Sequence, residues 1–309
     1  MSRVAFLSHS DCGRHDTGWG HAEHVGRIVA IPRALREDPE LFHALEHREA
    51  RHATAEELTL AHDPAYIAEV ERVAAAGGGR LDADTVVSEG SYLAATAATG
   101  AVLDGIDLAV SGTAARSFCA VRPPGHHALR DGGMGFCLFG AVGVGAHYAR
   151  AAHGLQRVLI IDWDVHHGNG TQALVQDDAD LRFVSMHQWP WYPGTGAADD
   201  RGPQGSVWNV PMAAGLPAAV YGEALLDAID RATTGWTPEL VLLSAGFDSL
   251  AGDPLGGFTL ELDDVTRLTE ALVQRAEQWC AGRLVSVLEG GYAPARLGQA
   301  VVTHLRALR

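Results

Sequence analysis

Residues 157–170 read RVLIIDWDVHHGNG, and this stretch decides the fold. The run VLIID is short, aliphatic and unalternated, the pattern of a strand buried on both faces of a parallel sheet. It ends in a polar, Gly-rich turn. The same pattern recurs at Arg3–Leu7, Ala115–Val121, Arg182–His187, Val207–Val210, Leu240–Ser244 and Leu284–Leu288. Between the strands lie Ala-rich segments with helical spacing: Ser91–Leu103, Gly140–Ala152, Ala218–Ala232 and Leu262–Trp279. Strands alternating with helices predict an α/β fold, a central and mainly parallel sheet flanked by helices. The only linker-like spot is Gly77-Gly78-Gly79, too short to divide domains. One domain over residues 1–309 is therefore expected, closed by an amphipathic C-terminal helix in LGQAVVTHLRALR.

Four of these strands end in polar loops: VRPPGHHALRDGGMGF, IDWDVHHGNG, LSAGFDSLAGDPLGG and VLEGGY. In open α/β sheets ligands bind beyond the carboxyl ends of the strands, so the four loops can converge. In an extended stretch, residues two apart share a side. Asp162, Asp164 and His166 therefore project together, away from Trp163 and Val165. Asp248 follows the strand LVLLSAG, whereas Asp253, before Pro254, reads as a turn residue. Asp164, His166 and Asp248 would give a divalent metal three ligands and leave a position open, the catalytic layout for zinc. Fe²⁺ or Co²⁺ also suits such a donor set. His126 and His127 stand in tandem on a proline-stiffened loop and suggest a proton-handling pair. Tyr292 is either a packed aromatic or a hydroxyl aimed at a developing oxyanion.

These motifs resemble the zinc-dependent histone deacetylase and acetylpolyamine amidohydrolase superfamily. The likeness runs through GHAEHVGRI, AHDPAYI, RPPGHHA, GFC, IDWDVHHGNGTQ, VSMHQWPWYPGTG, VLLSAGFD, GDPLGG and LEGGY. Details such as HHGNG and LEGGY are similar to the class II branch and its bacterial amidohydrolase relatives. The resemblance implies the arginase-deacetylase fold and zinc on Asp164, His166 and Asp248. It implies His127 as general base and acid, His126 as its electrostatic neighbour, and Tyr292 as the oxyanion donor. Asp162 and Asn169 would partner His126 and His127. Asp162, Ser185 and Met186 would help hold an inner potassium ion. Phe136, Trp191 and Tyr192 would wall the acyl-lysine tunnel with Leu255 at its rim, Gly290 would also meet the substrate, and Arg27 would line an internal channel. A rim aspartate that binds substrate backbone would be Asp82 or Asp84. The family's HPERP-type segment reads HAEHVGR here, without the proline, and the segment after PGTG is short.

Charge and composition bound the partners. With 23 Lys+Arg against 38 Asp+Glu the net charge is −15, which argues against a nucleic-acid binder. No apolar run approaches the roughly 18 residues of a spanning helix, so no membrane partner is expected. The opening MSRVAFLSHS reads as a strand rather than a secretory signal. Four scattered cysteines, Cys12, Cys119, Cys137 and Cys280, fit a reducing, cytoplasmic compartment, with Cys119 and Cys137 as small core residues. An oligomer is possible but carries no signal.

The expected activity is hydrolysis of acetyl or other acyl amides. The substrate would be an acylated lysine peptide or a small acylated amine. Polyamine-selective relatives place Glu where this chain has Leu255, which leans away from the acetylpolyamine alternative. Arginase-like chemistry would need DAH-type motifs in place of DWDVHH. A non-catalytic acyl-amine sensor would not need both His127 and Tyr292.

Overall fold

In the computed structural model, which describes residues 4–309, the strands are β1 (Val4–Ser8), β2 (Glu46–Glu49), β3 (Gly79–Arg80) and β4 (Val86–Val87). They continue as β5 (Arg116–Cys119), β6 (Val158–Asp162), β7 (Leu181–Gln188), β8 (Val207–Met212), β9 (Leu240–Ala245) and β10 (Leu284–Leu288). Eight form one sheet in the order β2-β1-β5-β10-β9-β6-β7-β8, with every neighbouring pair parallel. β3 and β4 make a small antiparallel ribbon. Each expected strand is present with ends shifted by a few residues; Arg3 lies outside the described residues.

Alternation along the central strands fills two cores. Leu159 and Ile161 of β6 enter one cluster with Leu243, Ile31 and Leu305. Val158 and Ile160 enter the other with Leu242, Val102 and Val144. The first face is covered by helices Gly26–Arg36, Ala218–Thr233, Leu262–Cys280 and Pro294–Leu308, the second by Pro64–Ala75, Ser91–Ser111 and Ala141–His153. A strand buried on both sides needs no polar residue, which is why these runs read as continuous hydrophobics.

Two sequence expectations change. The helix expected over Ser91–Leu103 continues to Ser111 and is long and apolar enough to cross a bilayer. It is a core helix here, with 72% of that apolar window buried inside the fold. The edge strand β2, EHRE, was not expected: three of its four residues are exposed and none is aliphatic. Its backbone pairing to β1 holds it in the sheet.

Candidate active site

The four motif-bearing strands are β5, β10, β9 and β6, consecutive in the sheet. Their loops leave the same edge side by side and are laced together by buried carboxylates that accept backbone N–H groups. Gly290 N donates to Asp164 Oδ2 at 2.8 Å, and Val165 N to Asp248 Oδ1 at 2.9 Å. Glu289 Oε2 accepts from Gly125 N at 2.7 Å and His126 N at 3.1 Å, so β10 anchors the tandem-histidine loop. Ser244 Oγ donates to Glu289 Oε1 at 3.2 Å. Sequence patterning alone misses Glu289, whose only signal is a glutamate closing an apolar strand.

Asp164, His166 and Asp248 converge. Their ligand atoms lie within 4.8 Å of one another, and all three residues are buried. His166 Nδ1 faces Asp164 Oδ1 at 2.9 Å and Asp248 Oδ2 at 3.3 Å. Asp248 Oδ2 has no hydrogen bond, an orphaned buried oxygen aimed at the cluster. Burial and the Asp164 charge push the Asp248 carboxyl up to about 7. A divalent cation among these donors relieves both penalties, so the residues fit a metal. Gly290 sits directly beneath: a Cβ there would lie 2.0 Å from Asp248 Oδ2 and 2.5 Å from Asp164 Oδ2. It lies under the carboxylates and is not among the residues lining the pocket above them.

The tandem histidines occupy different electrostatic settings. His126 donates from Nδ1 to Asp162 Oδ2 at 2.9 Å, with Asp164 Oδ1 3.8 Å from Nε2. Burial opposes its charge, but Asp164 and Asp162 outweigh it and hold the imidazole's pKa well above its usual value. His127 donates from Nδ1 to Asn169 Oδ1 at 2.7 Å. Burial, then the nearby charges of His126 and His166, hold its pKa well below the usual range. One ring is kept charged and the other neutral, with the lone pair of His127 on Nε2. Cys137 is more than core filling, because its Sγ accepts from His127 N at 3.4 Å.

Asp162 pairs across the sheet with Ser185, followed on β7 by Met186. Ser185 Oγ is shared with His187 Nδ1 at 3.0 Å.

Above the cluster opens a pocket of about 210 Å³ lined by Asp84, His127, Gly135, Phe136, His166, Trp191, Tyr192, Leu255 and Tyr292. Tyr292 is buried, and burial above all keeps its hydroxyl protonated. Its backbone N donates to Asp253 Oδ2 at 2.7 Å, while Asp253 Oδ1 accepts from Leu255 N at 2.9 Å. The turn aspartate therefore also places the tyrosine. Phe136 holds a left-handed backbone, φ 70°, and packs edge-on to Tyr292 with centroids 5.9 Å apart. Trp191 Nε1 donates to Leu255 O at 2.9 Å, closing the rim. Of the two rim candidates, Asp84 lines the pocket, whereas Asp82 Oδ1 caps a turn by accepting from the Asp84 and Thr85 N–H groups.

Behind the site lies a buried ion cluster. Glu23 binds Arg122 through both oxygens, at 2.8 and 2.7 Å, and Arg27 at 3.0 Å. Arg27 also donates to Gly291 O at 2.7 Å and to Glu289 O. The HAEHVGR loop, without its proline, is fixed by these charges instead.

Residues 21–308 match the histone deacetylase domain family. The chain is 37% identical to a histone deacetylase-like amidohydrolase of Pseudomonas aeruginosa, over 94% of this chain and 78% of that protein. It is 37% identical to the mouse polyamine deacetylase HDAC10, over 83% of this chain and 40% of that protein. The solved HDA15 HD domain superposes with a TM-score of 0.94 at 32% identity, covering 99% of this chain and 88% of that one. The family is generally metal-dependent, and the chain holds a cluster able to bind one. Matched family, superposed fold and converging loops lead to one conclusion: the chain belongs to the histone deacetylase and acetylpolyamine amidohydrolase superfamily, and is a hydrolase of amide bonds.

Proposed function

We propose that residues 1–309 act as one catalytic unit that removes acetyl or related acyl groups from lysine-like primary amines. The divalent metal would be held by Asp164, His166 and Asp248, with zinc the best match to two carboxylates and an imidazole, and Fe²⁺ or Co²⁺ as alternatives. Bound there, it would polarise the acyl carbonyl and acidify a water. The remaining steps belong to the chain. Neutral His127 takes the attacking water's proton at Nε2 and returns it to the leaving amine. Cationic His126, fixed by Asp162, keeps His127 from holding a proton at rest. Asn169 fixes the tautomer of His127 without adding charge. The Tyr292 hydroxyl donates to the oxyanion that forms at the carbonyl. Potassium near Asp162, Ser185 and Met186 would be structural.

The observation that carries this reading is the paired setting of His126 and His127 above an unsatisfied Asp248 oxygen. The narrow pocket suits a methylene chain between Phe136 and Tyr192, with Trp191 and Leu255 at its mouth and Asp84 available to a substrate N–H. Leu255 offers no charge to a second ammonium group, which favours an acylated lysine peptide or an alkyl or aryl amide over an acetylpolyamine. Four buried, unpaired cysteines fit a reducing compartment such as the cytoplasm.

The test is turnover by zinc-loaded protein on an acetyl-lysine peptide and on N-acetylputrescine. The peptide is expected to be preferred, and Tyr292→Phe to lower turnover about 10²- to 10³-fold. Preference for N-acetylputrescine overturns the neutral-rim argument. No turnover on any acyl amine, with zinc bound, overturns the catalytic reading.

A further inference from the structure

A second group of metal-ligating side chains lies away from these loops, where β1 and β2 end at the edge of the sheet. His9 follows β1, Asp11 stands in the 3₁₀ turn Ser10–Arg14, and His52 follows β2. Pairing continues past the strands, with Ala50 N donating to Ser8 O at 2.9 Å, so the two loops emerge in register. The His9 and His52 rings meet edge-on with centroids 4.5 Å apart. Asp11 Oδ2 lies 3.2 Å from His52 Nε2 and 3.7 Å from His9 Nδ1, and one ligand atom from each residue falls within 4.8 Å of the other two. Arg14 binds the other oxygen, Oδ1, at 3.2 Å and leaves Oδ2 facing the histidines.

The hydrogen bonds set the tautomers. Thr96 Oγ1 donates to Leu93 O at 3.0 Å and so accepts from His52 Nδ1 at 2.9 Å. The ring proton of His52 is thereby placed on Nδ1, and the Nε2 lone pair points at the Asp11 carboxylate. A nitrogen and a carboxylate oxygen at that distance need a proton or a metal ion between them. His9 Nδ1 accepts from Asp11 N at 3.0 Å, which leaves its proton on Nε2, 3.8 Å from Glu49 Oε1. His52 thus turns its free nitrogen toward Asp11 Oδ2 and its N–H toward an oxygen outside the cluster, while His9 Nδ1, held by the Asp11 N–H, lies 3.7 Å from the same oxygen. Metal-binding histidines are commonly oriented this way. The side chains of His9, Asp11 and His52 are 12%, 17% and 35% exposed, open enough for water to complete a coordination shell.

We propose that His9, Asp11 and His52 form a second divalent-metal site, with His52 oriented by Thr96. Two imidazoles and one carboxylate select Zn²⁺, Co²⁺ or Ni²⁺ over Mg²⁺ or Ca²⁺. Binding replaces the Asp11 N–H contact of His9 and small side-chain rotations bring the ligands to bonding distance. The ion would staple the loop after β1 to the loop after β2, and through Thr96 to the helix Ser91–Ser111.

The test counts metal rather than turnover, so it stands apart from the reading of the catalytic centre. Full-length protein is equilibrated with excess zinc, passed through a desalting column and assayed for bound metal, alongside a zinc titration against a competing chelator. The parent is expected to retain a zinc equivalent that His52→Gln and the His9→Gln/His52→Gln double variant lack, with acyl-amine turnover unchanged. Thr96→Val, which keeps all three ligands, should weaken that equivalent about tenfold or more, and Thr96→Ser should restore it. Circular dichroism of each variant separates loss of metal from loss of fold. Equal zinc content in the parent and the double variant would overturn the proposal, as would an unchanged affinity in Thr96→Val.

Discussion

In the proposed mechanism two adjacent imidazoles that differ in one partner carry most of the chemistry. His126 faces a carboxylate, Asp162, and His127 faces an amide, Asn169. A carboxylate stabilises the imidazolium, whereas an amide does so far less. The Asn169→Asp variant should therefore raise the pKa of His127. With neutral His127 as the proposed base, the acid limb of the pH–rate profile should move to higher pH. An unchanged profile in Asn169→Asp would sink the assignment of His127 as base. The partners Asp162 and Asn169 were expected from the family resemblance of DWDVHHGNG, and the folded loops place each within hydrogen-bond distance of its histidine. Other residues were not legible. Asp253 reads as an ordinary turn aspartate, and only the folded loop shows it holding Tyr292 N. Cys137 reads as core, and only the meeting of two loops puts its Sγ on His127 N. Asp82 and Asp84 are indistinguishable in sequence; the turn uses the first as a cap and leaves the second at the mouth.

At the scale of the element, the site depends on four neighbouring strand ends tied by carboxylates rather than by loop-to-loop apolar packing. The strands were readable because burial on both faces demands unbroken aliphatic runs. β2 was not readable, because an exposed edge strand places no hydrophobic demand on its sequence. The helix Ser91–Ser111 was cut short in the sequence reading, yet it runs on past Leu103 and ends at Gly112, whose φ of 74° suits a left-handed cap. The close approach of the loop after β10 to those after β6 and β9 appears in sequence only as the Gly-Gly of LEGGY. It makes a sharp demand at Gly290, since a methyl group there would overlap both metal-facing carboxylates. Gly290→Ala must push Asp164 and Asp248 apart. The expected outcome is a folded protein whose affinity for zinc at that cluster falls about tenfold or more, read in a chelator competition. Parent-like affinity would show that the loop yields without moving the ligands.

For the whole molecule, the sheet divides two cores, and each encloses a histidine that the catalytic reading does not use. His62 donates from Nδ1 to Leu129 O at 2.9 Å and accepts at Nε2 from Gly140 N at 2.9 Å. His304 lies between Thr269 Oγ1 at 2.7 Å and Ser286 Oγ at 2.8 Å. Thr269 donates to Val265 O, so it accepts from His304 Nδ1 and leaves Nε2 to accept from Ser286. Both rings are satisfied only as neutral imidazoles. Burial above all lowers His62 to about 4 and His304 to about 3. In the unfolded chain the same groups ionise near pH 6.5. Below that pH the unfolded state binds the extra protons, so stability falls with pH. The loss runs from about 6.5 down to about 4 for His62 and about 3 for His304. Each contributes about 1.4 kcal/mol per pH unit inside its window. Together they remove about 3 kcal/mol per unit, against a typical total of roughly 5–15 kcal/mol. Asp248 and Glu289, raised to about 7, and His167 and His187, lowered to about 3 and 4, also change charge on this side of neutrality, so the contribution of His304 is read as the difference in slope between parent and variant in urea unfolding between pH 6.5 and 5. His304→Gln is expected to be less stable than the parent at pH 7, yet to lose stability more slowly as pH falls, because one proton uptake is gone. The slope is the readout, since simple loss of packing would shift the curve without flattening it. An equal slope in the two proteins would mean that His304 takes up its proton in the fold.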